Sequence, residues 1–135
     1  MKLFTISGAT TLFCILAIVT AMSDYQDPAL SPVPDQNSDF IFNCPSGQTY
    51  VKDYLMRVVR GARQIMSNPH LHKSYPYHFN DILYNIDGQQ WCYPLFGNDL
   101  IHDYVVFNTN NEIAGVAHRM TFNREEDEFE ACHFI

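Results

Sequence analysis

Positive charge is scarce in this chain of 135 residues: eight Lys and Arg stand against fifteen Asp and Glu, a formal net charge of −7. A surface of that sign repels nucleic acid at long range and gains little affinity from counterion release. It disfavours a general nucleic-acid-binding domain and leaves room only for a local basic patch that holds RNA. No Asn-x-Ser/Thr sequon occurs, so no N-linked glycan is expected. After the first twenty or so residues no run approaches the roughly 18 apolar residues of a membrane span, and no membrane association is expected of the mature chain. There is no internal repeat.

The one long apolar stretch lies at the start. Met1 and Lys2 precede a run densest over residues 12–19 (LFCILAIV), with Val19 and Ala21 at the −3 and −1 positions of a small-residue cleavage site. Residues 1–21 read as a secretory signal peptide. Its removal takes Lys2 and no acid, leaving seven basic residues against fifteen acidic ones, a formal charge of −8. It also takes Cys14, so Cys44, Cys92 and Cys132 remain. Three is odd, so one thiol is free or pairs elsewhere. Cys44 and Cys132 bracket the folded region, and a bond between them would close a long loop. Cys92, after Trp91 in an apolar stretch, is the candidate for a buried free thiol.

Residues 22–38 carry Pro28, Pro32 and Pro34 among polar residues and are expected to form a flexible arm before a domain at 39–135. Residues 40–44 predict a first strand. Over 49–66 the apolar positions Val51, Tyr54, Leu55, Val58, Val59, Ala62, Ile65 and Met66 fall in one arc at 100° per residue, which predicts a surface helix. Ser46 or Thr49 would cap it, and Asn68-Pro69 would end it. Arg57, Arg60 and Arg63 share its outer face, either as a solvated surface or as a binding stripe. Strands are expected at 75–79, 82–84, 90–96, 104–107, 113–120 and 129–134, with Asp87-Gly88 as a turn. Residues 69–73 and 123–128 are expected to be exposed loops, candidates for the variable positions that a rigid scaffold tolerates. One helix followed by about five antiparallel strands is an α+β arrangement, a central helix packed on a curved antiparallel sheet.

Four segments resemble the guanyl-specific fungal ribonucleases of the microbial ribonuclease superfamily. Residues 75–80 (YPYHFN) are similar to that family's Tyr-Pro-His-x-Tyr-Asn, and residues 92–95 (CYPL) to Glu-Trp-Pro-Ile. Residues 104–119 (YVVFNTNNEIAGVAHR) are similar, without a gap, to Arg-Val-Val-Phe-Asn-Glu-Asn-Asn-Gln-Leu-Ala-Gly-Val-Ile-Thr-His. Residues 129–132 (FEAC) resemble a closing Phe-Val-Glu-Cys whose cysteine pairs with one near the N-terminus, which implies Cys44–Cys132. The likeness covers residues 40–135 and implies a microbial-ribonuclease-like fold.

Those enzymes need a carboxylate and a histidine to take the 2′-hydroxyl proton, an arginine for the phosphate, and a second histidine as acid. In this chain the four positions hold Tyr77, Cys92, Tyr104 and Arg119. Asn80 is retained in the base-binding loop, but the base-reading carboxylate is replaced by Leu83. His78 and His118 sit one residue away from the histidine positions, and a one-residue slip points a strand side chain to the other face. Fold kept and catalytic set lost resembles the secreted ribonuclease-like effectors of powdery mildews, which also carry an aromatic-x-Cys near the mature N-terminus, matched by Phe42-Asn43-Cys44. That resemblance implies a pseudoenzyme without cofactor, delivered into a host plant cell. There it would suppress defence by binding host protein, be open to recognition by an immune receptor, and have RNA as a weaker partner. Tyr75, Asn80 and Arg119 are the candidate binding residues of the old cleft. The alternative is an active secreted endoribonuclease with a rearranged His78/His118 site.

Overall fold

The structure, a computed structural model, describes residues 29–68, 70, 75–95, 102–120 and 128–135. The expected signal peptide lies outside these residues, as do nearly all of the two expected loops, 69–73 and 123–128.

The chain forms β1 (Ile41–Asn43), β2 (Thr49–Val51), α1 (Lys52–Ser67), β3 (Tyr77–His78), β4 (Gln90–Leu95), β5 (Asp103–Asn108), β6 (Ile113–Arg119), β7 (Phe129–Ala131) and β8 (His133–Phe134). A sheet of five strands runs β3-β4-β5-β6-β7, and a smaller one runs β2-β1-β8. All these pairings are antiparallel. The α+β expectation of one helix on antiparallel strands is met in that form.

Several elements differ from expectation. Residues 49–51 are a strand, because they pair with β1, and the helix begins at Lys52. Val51 is therefore 47% exposed and not on the helix's inner face. Neither expected cap acts: Val51 is the N-cap position and has no side-chain cap bond, while Ser46 and Thr49 donate to Asp103 and Asn43. Residues 82–84 add no strand; Tyr84 makes a single parallel bridge to Ser31. The last strand divides at Cys132, with β7 on the large sheet and β8 on the small one. The described part of the expected flexible arm, residues 29–38, is tied down. Ser31 exchanges backbone bonds with Leu83 and Asn85, and Pro34 is buried. The Gln36 amide bonds both the N–H and the C=O of Ile113 at 2.9 Å, satisfying the first residue of β6. Proline-rich composition did not leave this segment loose, because its remaining backbone groups found partners on the domain.

Strand alternation builds a core on each face of the large sheet. Toward α1, Val105, Phe107, Ile113 and Val116 pack with Leu55 and Val59. Each such fully buried side chain contributes roughly 1.5–3 kcal/mol. On the far side lie Phe79, Tyr84, Cys92, Tyr104, Val106, Ala114 and Ala117. The hairpin β5–β6 joins both cores. Its turn rests on Asn108, fully buried, whose Oδ1 accepts from the Asn110 and Glu112 N–H groups while Nδ2 donates to Asp87 O and Glu112 Oε1. Asn111 takes a φ of 64°, a left-handed conformation that asparagine tolerates. A register shift after Val106 puts both Ala114 and Gly115 on the far side. Gly115 is needed there: a Cβ would lie 2.5 Å from the Tyr84 ring.

Cys44 and Cys132 form a disulfide across 88 residues of sequence, and Cys92 is free and buried. In the chain-entropy picture a loop of that length is worth roughly 4–5 kcal/mol. No helix among the described residues is long and apolar enough to cross a membrane.

Candidate functional site

Tyr77, Cys92, Tyr104 and Arg119 come from four successive strands, β3 to β6, at positions that face away from α1. Tyr77 is the cross-strand partner of Cys92, and Tyr104 lies between Pro94 and Ala117. Tyr75, just before β3, packs its ring 5.2 Å from Tyr77 and 6.1 Å from Tyr104. Phe129 of β7 closes the other side of Tyr104 at 5.8 Å. The four positions and Tyr75 thus converge. Asn80 is exposed just beyond β3.

The chemistry of this group is set by burial. Cys92 is fully buried and its thiol is pushed up to about 12, desolvation outweighing its hydrogen bond to Tyr77. Tyr77 is raised above the ordinary phenol value by burial and then by that same bond. Tyr104, 2% exposed, is raised by burial and by its bond to Tyr75, with the nearby Arg119 charge opposing the rise. Burial thus makes Tyr77, Cys92 and Tyr104 hold their protons more tightly than the free side chains do. Arg119 is half-buried, and its Nε has no hydrogen-bond partner among the described residues.

His78 and His118 stand on the opposite side of the sheet, toward the helix. His78 stacks on Trp91 with ring centroids 3.9 Å apart. His118 Nδ1 meets Asp103 Oδ1 at 2.8 Å. Through the ladder, His78 lies level with Phe107 and His118 with Asp103. Four residues of strand separate those levels, roughly 13 Å.

Asp103 is the polar centre that sequence reasoning missed. It is 2% exposed, and besides His118 its carboxylate accepts from Ser46 Oγ and Tyr50 OH, each at 2.6 Å. The signal was present: Asp103 precedes Val105 and Phe107 at a spacing of two, so it had to share their core-facing side. The order of groups rules out a serine-nucleophile arrangement. There the imidazole stands between hydroxyl and carboxylate, whereas here the carboxylate stands between hydroxyl and imidazole. The Cys44 and Cys132 sulfurs also lie within 4.8 Å of this carboxylate. Bonded to each other, they offer no thiolate to a metal. Asp103 is a structural clamp that joins the β1–β2 loop and β2 to the central hairpin.

Compared with known proteins, the chain matches no family model and no curated relative.

Proposed function

We propose that the chain is a secreted effector of a plant-pathogenic fungus, a ribonuclease-like pseudoenzyme of the powdery-mildew type. In this reading it enters the host plant cell and binds host protein to suppress defence. The same surface is open to recognition by an immune receptor, and RNA is a weaker partner. One observation carries the loss of catalysis. The four positions where a guanyl-type ribonuclease would hold its catalytic groups converge as Tyr77, Cys92, Tyr104 and Arg119, and burial raises the first three further above neutrality than the free side chains. The helix on antiparallel strands and the Cys44–Cys132 bond agree with the resemblance. The alternative, an endoribonuclease run by His78 and His118, finds no support in the geometry. The two imidazoles are well apart along the sheet, and His118 is held by Asp103.

Purified protein incubated with single-stranded RNA from mildly acidic to mildly alkaline pH is expected to release no more product than a protein-free blank. Turnover that disappears in His78→Ala, an exposed position whose loss leaves the core intact, would overturn the proposal. Capture of a host plant protein that weakens in Tyr75→Ala or Arg119→Gln is the expected positive result.

A further inference from the structure

Charge in this chain is segregated. Four of the seven basic residues that follow residue 21 lie on α1, namely Lys52, Arg57, Arg60 and Arg63, and only one of the fifteen acids, Asp53, lies there with them. The helix is net positive on a molecule that is strongly negative elsewhere. Random placement would have mixed the signs, and i,i+4 Glu–Arg pairs would have stabilised the helix at little cost. Instead Arg57 and Arg60 are exposed and have no ion pair within the described residues.

These groups form a shaped surface. Lys52, Asp53, Met56, Arg57 and Arg60 line an open groove of about 570 Å³. Lys52 is held at one end, its Nζ donating to Gln36 O at 2.6 Å and Ser38 O at 2.9 Å. Half-buried Met56 supplies an apolar, adaptable surface between the cations. Arg63 takes no part, because its guanidinium donates to Thr109 O at 2.8 Å. The docked segment 29–38 therefore has a second role: it fixes the ammonium that ends the groove.

We infer that this groove on the outer face of α1 docks an acid-rich protein segment carrying apolar residues among its carboxylates. Arginines form two-pronged bonds with carboxylates, and Met56 takes an apolar side chain. A nucleic acid fits less well. Among the described residues no aromatic ring lines the groove to stack a base, Asp53 stands within it, and the acidic remainder of the molecule repels a long polyanion. This surface lies across the sheet from the Tyr77–Arg119 group, so the inference stands apart from the loss of catalysis.

The test is fluorescence anisotropy of a labelled peptide alternating Glu with Leu, titrated with the purified protein at low and physiological salt, beside a labelled single-stranded RNA of equal length. Expected results are peptide binding that weakens with salt, a loss of roughly tenfold in Arg57→Glu/Arg60→Glu, and a gain in Asp53→Asn. All three positions are exposed, and an unchanged thermal melt confirms that each variant folds. Peptide affinity that is indifferent to these changes would overturn the inference. So would RNA binding that is tighter than peptide binding and is lost in the same double variant.

Discussion

His118 Nδ1 lies 2.8 Å from Asp103 Oδ1 on the helix side of the large sheet, while its neighbour Arg119 belongs to the other side with Tyr104. Adjacent residues therefore differ in their contacts: His118 meets a buried carboxylate, while the Arg119 Nε has no hydrogen-bond partner among the described residues.

Asp103→Ala is expected to destabilise the protein by roughly 2–4 kcal/mol, because Tyr50, Ser46 and His118 lose a shared buried acceptor. Urea unfolding checks the magnitude. Tyr50→Phe combined with Asp103→Ala should cost less than the sum of the two single changes, since they share one interaction. Strict additivity would show that the bond contributes nothing.

Gly115→Ala should cost roughly 1–3 kcal/mol, because its Cβ would meet the Tyr84 ring at 2.5 Å in a packed interior. Tyr84→Ala opens that space. The double variant is therefore expected to melt no lower than Tyr84→Ala alone, and a further fall in the melting temperature would place the clash elsewhere.

Replacing both Cys44 and Cys132 by Ser should lower stability by roughly 4–5 kcal/mol through the 88-residue loop that the bond closes. The loss is expected in denaturant midpoints and matched by reduction of the unmodified protein. Cys92→Ala, which breaks no bond, should cost far less.

Alkaline pH should weaken the fold. The Cys92 thiol is raised by burial from its ordinary 9 to about 12. Burial also raises Tyr50, Tyr77, Tyr84 and Tyr104 above the ordinary 10. Below about pH 9 folded and unfolded chains both keep these protons. Above it the unfolded chain releases protons that the folded chain retains, so stability falls as pH rises. Urea midpoints compared at about pH 8 and about pH 10 should show the drop. A thiol reagent should label Cys92 at about pH 8 only after unfolding; rapid labelling of the native protein would contradict its burial.

The hairpin at 104–119 was legible almost residue by residue, because alternating apolar side chains and a turn rich in Asn specify a local antiparallel pair. The choice of Cys92 as the candidate free thiol and the placement of His78 and His118 on the side opposite the Tyr77 group also followed from neighbours and from the period of two. The helix start was misplaced by three residues. Thr49–Val51 has helix-compatible spacing, and its strand character depends on Ile41–Asn43, a partner whose pairing no local pattern reveals. The anchoring of residues 29–38 was hidden for the same reason: Gln36 meets Ile113 across 77 residues.

Local pattern alone determined the class of fold, the central hairpin and which side chains share a face, since these depend on spacing along one stretch of chain. Tertiary structure decided what those faces are for. Only folding brings Ser46, Tyr50 and His118 onto Asp103. Only folding desolvates the Tyr77–Cys92 pair and raises both groups above their ordinary values, and sets Lys52 at the end of a basic groove. Burial and long-range pairing set the strength of a charge or a proton, and neither is a property of sequence neighbours.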